Sequence, residues 1–347
     1  MGFEEDLRFV AFTLARFTSF AAHALLFGLV PTILLVLRPA FARLPVDDWA
    51  AGRRRVAARI EGLVNAALVA SAAASAVAIT LQAVLISELR DEDIGGSAVT
   101  SVFETSFGQW YAFRFPLLVA LALILYKRVG RVCIAGAGDD TPGPSPLYWA
   151  AWGGCGLLLL ATSSFSGHAA VADPRWGALV NDIVHLAAGS AWFAGLVVLA
   201  VILPDAWRDA DASGRLGLLA PSVVRFSNVA VVTISIVAIT GVLNSFLHVG
   251  AIDDLVDSSY GRALALKLVL FGVVLALGAI NHLGVRRRFE KAVDAGPLID
   301  TQRLFRKAIA VELAVAVGLL GMTGLLVGQG RTAEAAAPPR VVSSPLL

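Results

Sequence analysis

"NDIVHLAAGSAWFAGLVVLAVILP", residues 181–204, decides the fold. From Leu186 onward the stretch is almost wholly apolar, and a hydrocarbon core needs about 20 such residues to be crossed by a helix. Yet it opens with Asn181, Asp182 and His185 and carries Trp192 two turns further in. Ionisable groups at membrane depth are costly, and by default they mark function. The stretch therefore reads as a transmembrane helix with a chemical head.

The rest of the chain repeats the apolar pattern. Hydrophobic residues make up 57% and charged residues 16% of 347, and the mean hydropathy is +0.76. These values exclude an ordinary soluble domain. Eight stretches are long enough to span: 9–37, 60–87, 108–127, 147–166, 178–203, 224–248, 260–283 and 307–328. The expected fold is all-α, a polytopic bundle of eight transmembrane helices in one integral membrane domain over residues 1–330. The tail "AEAAAPPRVVSSPLL" shows no helical period, so 331–347 is expected to be disordered. The acidic start "MGFEEDLRF" lacks the basic region of a removable signal peptide, so the first span is read as retained. Cys133 and Cys155 form neither a CxxC pair nor a Cys/His zinc pattern.

Charge orients the bundle. The loops after spans 1, 3, 5 and 7, with the span ends that border them, hold 19 of the 28 Lys and Arg residues, among them Arg53, Arg54, Arg55, Arg286, Arg287 and Arg288. The loops after spans 2, 4 and 6 are acidic, as in "ELRDEDIGG" and "AIDDLVDSS". By the positive-inside rule both termini lie outside.

An internal echo divides the bundle. "SFGQWYAFR" at 106–114 and "SYGRALALK" at 259–267 share Ser, an aromatic, Gly, Ala and a base at matching offsets, and each opens an inward-running span. "GLV" recurs at 28–30 and 195–197, and spans 4 and 8 close on "SGHAA" and "VGQGR". The expectation is two parallel four-helix repeats, 9–166 and 167–328.

The polar residues suggest a metal route. Asp182 and His185 are three apart and share a helix face. His168 closes the preceding span on the same side, so His168, Asp182 and His185 form a candidate metal site at the outer mouth, with Trp192 below it. His248, at the end of span 6, is a further candidate on that side. Arg114 and Lys267 hold equivalent places in the echoed motif and are expected to pair with an inward carboxylate such as Asp182, or else to snorkel. His23 lies mid-membrane and is a candidate for the further metal path, although an interhelical hydrogen bond is the simpler role. Cys155 and Met322 lie on corresponding spans 4 and 8, either as packing residues or as a soft second station if the cargo is a metal. Glu312, Glu61, Asn65, Asn244 and Asn281 either line an exit path or fix helix packing.

Several of these stretches together resemble the copper resistance protein D (CopD) family of bacterial inner-membrane proteins. They are "SGHAA", "DIVHLAAGSAWFAGL", "VVRFSNVAVVTISIVAITGVLNS" and "SSYGRALALKLVLFGVVLALGAINHLGVRRR", and the resemblance is strongest over 160–328. It implies a protein of the cytoplasmic membrane that moves copper, inward, beside a periplasmic copper-binding partner. Imidazole and carboxylate suit oxidised copper, whereas the reduced ion favours sulfur ligands, which are scarce here. No GxxxxGK[ST] loop suggests nucleotide, and nothing points to nucleic acid or to an enzyme. Two alternatives stay open: a haem-binding redox protein, and a non-transporting partner in copper delivery or oxidase assembly.

Overall fold

Inside hydrocarbon every backbone N–H and C=O must be paired within the segment, so a long apolar run becomes helix. A computed structural model describes residues 3–90, 95–126, 129, 143–167, 175–248, 259–281, 283 and 298–336, and among them there is no strand. Helix α1 spans Phe3–Thr32, α2 Ala50–Arg90, α3 Gly96–Glu104, α4 Ser106–Leu125 and α5 Pro146–Phe165. Helix α6 spans Arg175–Val197, α7 Ala212–His248, α8 Ser259–Ile280 and α9 Leu298–Ala336. All but the short α3 are membrane-length.

Seven of these eight are long and apolar enough to cross a membrane. The eighth expected span, α5, is 20 residues long and carries no charge. Its two tryptophans, its glycines and its hydroxyl residues dilute its hydropathy. That composition belongs to a helix packed between others, and Trp152 is fully buried there, donating from Nε1 to the Leu26 carbonyl at 2.8 Å.

Several boundaries differ from the sequence expectation, with α7 beginning twelve residues early at Ala212, and three have a reason in particular residues. Helix α2 begins ten residues before the expected residue 60, because "AAGRRRVAAR" combines strong helix formers with arginines that find partners. Arg53, buried, donates to the carbonyls of Phe41 (2.8 Å) and Leu44 (3.3 Å), closing the end of the first span. Arg55 reaches the Asp205 carbonyl and the Asp209 carboxylate, both at 2.8 Å, and Arg59 reaches the Asp205 carboxylate at 2.5 Å. Residues 96–104, taken as loop, form α3, which packs on α2 and α4 and leaves Val99 and Phe103 exposed. Last, α9 runs on to Ala336, so 331–336 are helical rather than disordered. "TAEAAA" is good helix sequence, and the prolines at 338 and 339 come after it. Residues 337–347 lie outside the described residues.

Helices α1 and α6 form the centre, and their spans are the most enclosed in the bundle. Helix α1 packs on α2, α5, α6 and α9, while α6 packs on α1, α5 and α7. The α1–α6 seam is very close: a Cβ on Gly28 would stand 2.1 Å from the Ser190 carbonyl oxygen and 2.7 Å from the Ala194 Cβ. Only a glycine admits that approach.

The two central helices also end alike. Each passes through a five-residue π-helical segment, Ile33–Leu37 and Val198–Ile202, into a four-residue helix with proline at its second position, Arg38–Phe41 and Leu203–Ala206. Proline has no N–H and its ring crowds the carbonyl four residues back. For Pro39 and Pro204 those carbonyls belong to Leu35 and Ala200, inside the π segments, whose wider turns accommodate the rings.

Candidate functional site

On α6 the polar face descends through Asp182, His185 and Trp192, and the structure supplies its neighbours. From α5, the Ser164 hydroxyl donates to Asp182 Oδ2 at 2.7 Å. From α7, Asn244 Nδ2 donates to Asp182 Oδ1 at 3.4 Å. Asn181 Nδ2 in turn donates to Asn244 Oδ1 (2.7 Å) and to the Thr240 carbonyl (2.9 Å), tying α6 to α7. The half-buried Lys267 of α8 interacts electrostatically with both Asp182 and His185.

The contacts of Thr240 favour one tautomer of His185. Thr240 Oγ1 lies 2.9 Å from His185 Nδ1 and 2.6 Å from the Ile236 carbonyl. A hydroxyl has one proton, and the carbonyl can only accept, so that proton goes to Ile236. With its proton there, the Thr240 oxygen is an acceptor for Nδ1–H. In the neutral imidazole this leaves Nε2 as a lone pair, the atom a metal would use. Gly241 keeps α7 close, since a Cβ there would meet His185 Cε1 at 3.4 Å.

Ten residues below Asp182, about 15 Å along the helix, the same face reaches a second carboxylate. Trp192 Nε1 donates to Glu312 Oε1 (3.3 Å) and Asn281 Nδ2 to Oε2 (2.7 Å), with Glu312 itself buried. Glu312, Asn281, Ser227, Ser235 and mostly apolar side chains of α7, α8 and α9 line a cavity of about 330 Å³.

The expected residues therefore fall into separate groups. Asp182 and His185 come together within reach of the Lys267 charge, and Trp192 with Glu312 forms a lower level. Arg114 does not meet Asp182, contrary to the pairing expected from the sequence. It is fully buried in the first half, donating from Nε to Thr162 Oγ1 (2.8 Å) and from Nη2 to Ser163 Oγ (3.3 Å), with its guanidinium 3.7 Å from the Tyr111 ring centroid. Ser164, the next residue on α5, is the one that turns to Asp182. His23 has the interhelical role expected of it, with Nε2 2.8 Å from Ser71 Oγ of α2. Cys155 is half-buried against the core and Met322 half-buried on α9. Among the described residues no group of three or more His, Cys, Asp or Glu could hold a metal ion. His168 lies outside the described residues, and of His248 only its place at the end of α7 is described. Sequence reading missed Thr240 and Ser164. Their one signal was a hydroxyl in an apolar span, which is common and is usually spent on the helix's own carbonyls.

Comparison with known proteins matches both parts of the chain. The family described as Copper resistance protein D-like, N-terminal domain, matches residues 5–178, and that described as Copper resistance protein D matches 220–326. The first half, where the motifs are fewer, is thus matched as well. The Copper transport protein CutJ of Bacillus subtilis (strain 168) is 30% identical over 225 residues, 65% of this chain and 38% of its own length. Copper resistance protein D of Pseudomonas syringae pv. tomato is 30% identical over 174 residues, 49% of this chain and 56% of its own. The alignments thus span about half or less of these relatives. No solved structure matches.

Proposed function

The chain belongs to the copper resistance protein D family, and from that premise we propose that it is a copper permease of the bacterial cytoplasmic membrane, with both termini outside. One observation carries the reading: Asp182 and His185, side by side on α6, offer a carboxylate and an imidazole whose Nδ1 is already engaged by Thr240, leaving Nε2 for a metal. A cation arriving from outside exchanges water for the Asp182 charge and the His185 lone pair, with His168 as the second nitrogen. Helix α6 then leads it towards Trp192 and Glu312 in the inner half.

Copper is the cargo, and nitrogen with carboxylate favours its oxidised form at this outer site. Inward movement of one positive charge gains about 2.3 kcal/mol per 100 mV of inside-negative potential, roughly fifty-fold accumulation. No further energy source is needed. Delivery by a periplasmic copper-binding protein fits a site at the outer mouth. The names of the two relatives speak of copper transport and copper resistance.

Copper uptake into sealed vesicles tests the proposal. Uptake by the unaltered chain should be saturable and should fall at least tenfold in the His185→Ala and Asp182→Asn variants. Unchanged uptake in both variants overturns the route. Copper binding without any uptake would make the chain a non-transporting delivery partner instead.

A further inference from the structure

The first half of the bundle holds a charged centre that the copper route does not use. Arg114 is 1% exposed, and no carboxylate pairs with it among the described residues. Its hydrogen bonds go to neutral hydroxyls, Thr162 and Ser163, and its face lies over Tyr111. Arg114 Nη1 remains buried with no hydrogen-bond partner, and so does the hydroxyl of Ser19, itself 3% exposed. Both side chains line one small cavity of about 10 Å³, whose other polar walls are Arg16, Tyr111, Ser163 and Ser166. That is room for the centre of a single water-sized particle.

A buried charge with an unmet donor is costly unless something neutralises it. The cavity wall combines two guanidinium groups with hydroxyl groups, and it includes no acidic side chain. Every donor surrounding that space favours a small negative ion over a cation, and the volume excludes phosphate or a carboxylic acid. We propose that this cavity is a binding site for one halide ion, chloride in the cell, held by Arg114 and the Ser19 hydroxyl. The ion completes the hydrogen bonding of Nη1 and offsets the guanidinium charge where the surrounding helices cannot. The site is distinct from the cation route, yet adjacent residues of α5 serve the two: Ser163 accepts from Arg114, and Ser164 donates to Asp182.

Equilibrium binding of radiolabelled chloride to the purified full-length protein, without copper, tests this independently of transport. We expect saturable binding of about one ion per chain. Ser19→Ala should weaken it by about tenfold or more, as loss of a hydrogen bond to a charged group implies. Arg114→Gln should abolish it and Arg114→Lys should restore part of it. Absence of saturable binding overturns the proposal, as does binding that Arg114→Gln leaves unchanged. If the Arg114 variants do not fold, the Ser19→Ala, Ser163→Ala double variant decides: unchanged chloride affinity there overturns it too.

Discussion

Thr240 illustrates how much rests on one hydroxyl. Its 2.6 Å contact with the Ile236 carbonyl favours sending its proton there, so that it accepts from His185 Nδ1 and leaves Nε2 free. Replacing Thr240 with Val keeps the shape and removes the acceptor. Loss of an outer partner that orients a metal-binding histidine typically costs 10–100-fold in affinity. Thr240→Val should therefore weaken copper binding by about that factor while circular dichroism shows the helices intact, and an unaltered affinity would deny Thr240 this role. Asp182 and His185 were legible in the sequence because a three-residue spacing on one helix is a local fact. Thr240 was not, because which side chain faces His185 depends on how α7 is rotated against α6. The Arg114 expectation failed for the same reason. Ser163 and Ser164 are neighbours in sequence but point about 100° apart around α5, so one turns to Arg114 and the other to Asp182.

Among the elements, the α1–α6 seam is the most sensitive to a single methyl group. Its closest neighbour at Gly28 is backbone, the Ser190 carbonyl, which cannot swing aside as a side chain can. Gly28→Ala should destabilise the bundle by about 1–3 kcal/mol, the usual cost of overpacking, seen as a lowered melting temperature in detergent. A melting temperature equal to that of the unaltered protein would mean that the two helices separate cheaply. Spans of this kind are legible because lipid demands long apolar runs, and hydropathy reports them directly. Their ends are less so. The arginines of 53–59 look like a loop until Phe41, Leu44 and Asp205 supply acceptors for them. The π segments of α1 and α6 had no signature beyond a proline near the end of each span.

For the whole molecule, orientation and duplication remain proposals with direct checks. In a background with Cys133 and Cys155 replaced by Ala, Ser97→Cys should react with an impermeant thiol reagent from outside the cell, and Ser213→Cys only after the membrane is opened. The opposite pattern would invert the topology. Both positions are exposed, so lack of access would not arise from packing. The shared ending of α1 and α6, a π segment followed by a proline helix, supports the two-repeat reading, in which 9–166 superposes on 178–328 with Arg114 over Lys267. The seam has a mechanical consequence at this scale. With α6 clamped to α1 at Gly28, the wall of the proposed metal site that carries Asp182 and His185 belongs to the central pair of helices. The opposite wall, Thr240 and Asn244 on α7, packs along α6 and is tied to it by the hydrogen bonds of Asn181, Asp182 and His185. Any change in the width of the proposed site has to come from the α7 side, against the contacts that Asn181 and His185 make there.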